Sequence, residues 1–191
     1  LSGAPPAITQ EQMNAAISAV QQQTQEKSME KAQAAEQIGQ DFRQAYRQQE
    51  GVSETDSGIL YRVLTPGTGA KPKVDDTVVV HYRGTLVNGT EFDSSIARGQ
   101  PATFSLGGII AGWQESLQLM QEGARWEVVI PPELAYGSTG AGGAIGPEET
   151  LIFEIELIEV KKRGDFGVSV NPYLISGFFY AILALKQNDQ R

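Results

Sequence analysis

The chain has no cysteine and a single histidine, His81. Without thiols there is no disulfide, no thiolate nucleophile and no cysteine-held metal. One imidazole leaves little from which to build a Ser-His-Asp triad or a histidine-based metal site, so no metal and no cofactor are expected. Basic residues are also scarce. Against 23 Asp and Glu there are 15 Lys and Arg, a net charge of -8, and without clustered cations a nucleic acid is not the expected partner. Between Ile8 and Glu50 proline is missing altogether and Gly39 is the only glycine. What remains is ordinary. The 191 residues, 40% hydrophobic and 20% charged, allow one globular domain with appendages and do not resemble a disordered chain. The chain begins at Leu1 rather than Met and shows no signal-peptide pattern, as a processed or trimmed chain is expected to.

The proline-free stretch is rich in Gln, Ala, Glu and Lys, which are good helix formers. Thr9 with Gln12 three residues on reads as a capping box at its start. Apolar residues recur at near-helical spacing as Met13, Ile17 and Val20, then as Ala35, Phe42 and Tyr46, with a polar gap from Gln21 to Ser28. One helix over this stretch would be about 60 Å long, too long to lie on a single domain. It is expected to protrude as a stalk whose Met13/Ile17/Val20 end seeks a partner. Two shorter helices folded back on the domain are the alternative.

From Gly58 the period changes. Leu60–Leu64, Thr77–Tyr82, Trp126–Ile130 and Leu151–Val160 are β-rich runs, and Asn88-Gly89 is a strong hairpin signal. The last run alternates imperfectly, as an edge or half-buried strand would. Trp113–Met120, closed by Gly123, reads as one short helix. Strands around one helix with Gly-rich loops indicate a small antiparallel α+β domain. The expected division is a lead-in over 1–7, stalk helix and linker over 8–56, the domain over 57–162, and a hydrophobic tail over 163–191.

The chemistry-bearing strings are Val80-His81-Tyr82-Arg83-Gly84, Gly89-Thr90-Glu91-Phe92-Asp93-Ser94-Ser95, Ile109-Ile110-Ala111-Gly112-Trp113 and Pro131-Pro132-Glu133-Leu134-Ala135-Tyr136-Gly137. They hold aromatic and aliphatic residues with almost no acid–base machinery. Singly, Trp113, Phe92 or Phe153 would be core, and Asp93 could be an Asx-turn residue with Ser95. His81 alternates with Tyr82 and is expected to face away from it. In order and spacing the four strings resemble the FKBP-type peptidyl-prolyl cis/trans isomerases, as do Ile145-Gly146-Pro147 and Leu151-Ile152-Phe153.

That resemblance covers slightly more than half the chain. It implies an FKBP-like antiparallel half-barrel sheet wrapped on the short helix, and an apolar pocket for X-Pro segments of other polypeptides. Trp113 would be the floor, with Tyr82, Phe92, Phe104, Ile109, Ile110 and Phe153 as walls. Asp93 would be the pocket carboxylate and Arg98 its partner. Tyr136 would donate to a ligand carbonyl, and Ile145 would close over the site. Tyr82, Asp93, Trp113 and Tyr136 are thereby the expected catalytic set. Macrolides of the FKBP class are the implied small-molecule ligands. The chain departs from the pattern at Ala102, where many members have an aromatic, and in the loop Ser138 to Ala144, one residue longer than in the smallest members.

The helix leading into such a domain resembles the Mip-like bacterial branch and implies a homodimer joined through N-terminal helices. The expected place is the bacterial cell envelope, periplasmic or at a membrane, with the cytoplasm as the alternative. The tail departs from that branch. Tyr173 to Leu185 is apolar enough to form an aggregation-prone patch if left in water. A helix there is expected to enter a bilayer or dock in a membrane assembly, with packing on its own domain or on a dimer mate as the alternative. The expected function is prolyl isomerisation and folding help. The alternative is a non-catalytic binding subunit held in a membrane complex by that tail.

Overall fold

The computed structural model describes residues 9–162. The lead-in, Tyr173–Leu185 and the expected C-terminal helix lie outside them. Helix α1, Gln10–Arg47, opens on the capping box: the Gln12 N–H donates to Thr9 Oγ1 at 3.2 Å and the Thr9 N–H to Gln12 Oε1 at 3.1 Å. Its 38 residues form one helix of about 57 Å. Two faces divide it. Residues 9–31 are exposed throughout, whereas Ala32, Ala35, Glu36, Gly39, Phe42, Arg43 and Tyr46 are partly or fully buried at spacings of three and four. That stripe seats the C-terminal third of α1 on the domain. No helix among the described residues is long and apolar enough to cross a membrane.

The strands are β1 (Val52–Glu54), β2 (Leu60–Thr65), β3 (Thr77–Leu86), β4 (Glu91–Ser94), β5 (Ala102–Ser105), β6 (Arg125–Ile130) and β7 (Leu151–Lys161). They pair antiparallel in the order β1-β2-β6-β7-β3-β4, and β5 pairs the first half of β3. The Asn88-Gly89 turn joins β3 to β4: Gly89 has φ 84°, and the Thr90 N–H donates to Asn88 Oδ1 at 2.9 Å. Strand β1 falls in the stretch expected to be linker. Strand β7 is not at an edge. It lies between β6 and β3, pairing β3 to its end at Lys161 and β6 from Leu151 to Glu156. Of the two expected explanations for its imperfect alternation, the half-buried strand holds. Leu151, Phe153, Ile155 and Leu157 are buried on one face, while Glu154 and Glu156 face out, Glu154 in an ion pair with Arg125.

Helix α2, Ala111–Leu119, crosses the inner face of the sheet. It can approach closely because Gly112 has no side chain; a Cβ there would lie 2.4 Å from Ile130 Cγ2. Trp113 and Leu117 are buried with Val78, Val80, Tyr82, Phe153 and Ile155 in one core. On the outer face Tyr46 of α1 packs with Leu60 and Val129. Its hydroxyl donates to Glu127 Oε1 at 2.6 Å, and Arg62 donates to the same oxygen at 2.7 Å. The stalk therefore sits on the side of the sheet opposite α2.

Candidate active site

Where α2 begins, the Ile110 carbonyl accepts from the N–H groups of Trp113 and Gln114, at 3.0 and 3.1 Å. This directs the indole of Trp113 into the sheet, where only 2% of the residue is exposed. Three rings stand nearly perpendicular to it: Tyr82 at 5.2 Å and 85°, Phe153 at 5.2 Å and 83°, and Phe104 at 5.6 Å and 90° between centroids. Phe92 meets Phe153 edge to face at 5.5 Å. Such edge-to-face pairs are the favoured aromatic geometry. Ile110 and Ile145 belong to the same buried cluster, and Phe92, Phe104, Ile109 and Tyr136 pack against it half-buried.

One polar network borders the rings. The Tyr82 hydroxyl donates to Asp93 Oδ2 at 2.5 Å, Arg98 forms an ion pair with Asp93 Oδ1, and Arg98 Nη2 donates to the Tyr82 oxygen at 2.8 Å. The Asp93 side chain is 8% exposed, so both its oxygens are spent on these partners and no Asx turn is formed. Burial, with the hydrogen bond to Asp93 next, pushes the Tyr82 phenol well above its usual range. Burial works against the charge of Arg98, but hydrogen bonds to Tyr82 and Asp93 outweigh it and hold the proton more firmly. Tyr136 is raised as well, by burial first and then by the negative charge of Asp93. Two donors of the cluster have no acceptor among the described residues. Nothing there accepts from the Tyr136 hydroxyl, and the buried Nε1–H of Trp113 has no partner.

All eleven residues expected at the site thus lie in or against one aromatic cluster and its polar border. His81 faces the other way, its Nδ1 3.0 Å from Ser95 Oγ, beside a concavity lined by Arg125, Glu154 and Glu156. Three supporting residues escaped the sequence reading. A Cβ on Gly84 would come within 2.6 Å of the Phe92 ring and 2.8 Å of Phe153, so this glycine makes room for both. Its signal was a glycine inside a strand. Fully buried Ser95 exchanges hydrogen bonds with the Tyr82 backbone: Tyr82 N–H to Ser95 Oγ at 2.8 Å, and Ser95 N–H to Tyr82 O at 3.0 Å. Gln114 Nε2 donates to the Ile109 carbonyl at 2.8 Å and pins the segment before α2. Neither of those two carries a sequence signal.

Residues 68–158 match the family model described as FKBP-type peptidyl-prolyl cis-trans isomerase, and residues 1–63 match the domain amino terminal to it. An FKBP-type 22 kDa peptidyl-prolyl cis-trans isomerase of Escherichia coli is 54% identical over 113 residues, 59% of this chain and 55% of that protein. Outer membrane protein MIP of Legionella longbeachae is 54% identical over 112 residues, 59% of this chain and 48% of that one. The chain spans about half the length of these curated relatives. The crystal structure of FkpA from Escherichia coli superposes with a TM-score of 0.74 at 39% identity, covering 80% of this chain and 73% of that chain. With the catalytic-domain and amino-terminal models both matched in order, and a solved relative shared over most of its length, this chain belongs to the FKBP-type peptidyl-prolyl cis-trans isomerase family.

Proposed function

We propose that the chain is a peptidyl-prolyl cis-trans isomerase and folding helper, and that the aromatic cluster around Trp113 is its site. The observation that carries this reading is the set of three rings standing perpendicular to the indole, which we read as the walls and floor of a proline site. The chemistry asks for nothing covalent. Amide resonance sets a rotational barrier of about 18–20 kcal/mol, and X-Pro bonds populate both isomers and exchange in tens to hundreds of seconds unaided. Water favours the planar, charge-separated amide. An apolar hollow removes that preference and accommodates the twisted, less polar bond relatively better.

The residues divide the work. Trp113 is the floor, and Phe92, Phe104, Phe153, Ile109 and Ile110 enclose the ring. Tyr82 is held by Asp93 and Arg98, which keeps that wall rigid and its proton engaged. Tyr136 is the donor left for a substrate carbonyl, and Ile145 closes the rim. A macrolide of the FKBP class would compete for the same hollow. The reading as a docking module without turnover finds no support in the matched family and the E. coli relative, both named as isomerases.

Met13, Ile17 and Val20 are 46%, 51% and 62% exposed along one helix, and this stripe is the surface through which we place a homodimer. The name of the Legionella relative favours the bacterial envelope, where the apolar run Tyr173–Leu185 would meet a membrane or a membrane complex. The test of the function is isomerisation of an X-Pro tetrapeptide followed by exchange NMR. Acceleration that is lost on adding an FKBP-class macrolide supports the site, and its absence at micromolar protein rejects the function.

A further inference from the structure

Gly39 is the one glycine of α1, set in the middle of a helix where alanine would be the better helix former. Contact explains it. A Cβ at Gly39 would lie 2.3 Å from Thr150 Oγ1 and 3.2 Å from Thr150 Cβ. One turn later Arg43 reaches the same hydroxyl: Nη1 donates to Thr150 Oγ1, and Nη2 to Glu36 Oε1 at 3.4 Å. Thr150 is 0% exposed and the Arg43 side chain 14%. Gly39 lets the helix in, and Arg43 fastens it.

What it fastens is the rim of the site. Thr150 ends the loop that starts at Tyr136 and leads directly into β7, whose third residue is Phe153. Within that loop the Gly140 N–H donates to the Tyr136 carbonyl at 3.2 Å, Ala141 and Ile145 exchange backbone hydrogen bonds at 2.8 and 3.0 Å, and the Glu148 N–H donates to Gly137 O at 2.9 Å. The loop is thus tied within itself and moves, if it moves, as one piece bearing Tyr136 and Ile145. Beside the clamp α1 and Glu148 line a shallow surface groove of about 380 Å³.

We infer that Arg43, Gly39 and Thr150 form a clamp through which the stalk helix positions the loop carrying Tyr136 and Ile145 over the bound X-Pro segment. The stalk is then a working part of the site and not only a spacer. This rests on the prolyl-site reading above. Arg43 and Thr150 touch no substrate; they are positioning residues that act through the loop. A rim that contacts ground state and transition state alike changes KM and leaves kcat nearly alone. A clamp that merely holds the helix on the domain changes stability and neither constant.

The test compares Arg43→Ala, Arg43→Lys, Thr150→Val and Thr150→Ser in the full chain, with kcat and KM measured on an X-Pro tetrapeptide and the thermal midpoint recorded. Arg43→Ala and Thr150→Val are expected to raise KM about three- to tenfold with kcat within about twofold. Thr150→Ser keeps the acceptor oxygen and should match the parent, and Arg43→Lys should fall between. Should Thr150→Val fail to fold, Arg43→Gln, at a helix surface, carries the same comparison. An active parent with unchanged KM in both Arg43→Ala and Thr150→Val removes the clamp while leaving the site intact. A parent without catalysis removes the site reading and the clamp with it.

Discussion

Tyr82 is buried and Tyr136 half-buried, and both feel the charge of Asp93, yet only Tyr82 donates a hydrogen bond to that carboxylate. This separates a wall from a donor. Tyr136→Phe removes a single oxygen and is expected to lower kcat/KM about fivefold, the worth of one net hydrogen bond, with the thermal midpoint unchanged. Both phenols are raised above the ordinary value, so each holds its proton where a free tyrosine begins to ionise. Their contribution to stability is fully present below about pH 10 and is lost as the pH rises through their folded-state values. Activity should accordingly be flat from about pH 6 to 9, since no imidazole faces the site, and an ultraviolet titration should show these tyrosines ionising late. Gly84→Ala places a methyl group against the Phe92 and Phe153 rings. Overpacking of this kind costs about 1–3 kcal/mol, read as a lower urea midpoint, and should weaken ligand binding as well.

Among the elements, the seated end of α1 has two unlike faces. Tyr46 is 4% exposed and bonded to Glu127, whereas Ile38, eight positions earlier, is 55% exposed. Tyr46→Ala should therefore cost about 3 kcal/mol and Ile38→Ala less than about 0.5 kcal/mol, both by urea denaturation. The helix itself was legible from its capping box and its composition, and the Asn88-Gly89 hairpin from its turn residues. Strands β1 and β5, of 3 and 4 residues, carry too little alternation to announce themselves. The central place of β7 was hidden because Glu154 and Glu156 on its outward face mimic an edge strand; the ion pair with Arg125 that makes this tolerable lies on another strand. The aromatic residues of the site could be found because each sits in its own string. Gly84 showed only as a glycine inside a strand, with nothing to say which rings it admits; Ser95 and the Arg43–Thr150 clamp carried no local mark, the clamp joining residues 107 positions apart.

For the molecule as a whole, the two faces of one sheet divide the labour. The inner face holds α2 and the aromatic cluster, and the outer face holds the foot of a 38-residue helix. A charge of -8 argues against a phosphate backbone as partner, and a site of rings fits the proposed apolar X-Pro segment. The central claim is that the hollow floored by Trp113 speeds rotation about an X-Pro bond without covalent help. Exchange NMR of an X-Pro tetrapeptide, with side-chain shifts of the protein recorded in the same titration, tests it most directly. The account predicts faster cis/trans exchange together with shifts of the Trp113 indole N–H, Tyr136 and Phe153. Unaltered exchange, or shifts confined to the His81 face of the sheet, would contradict it.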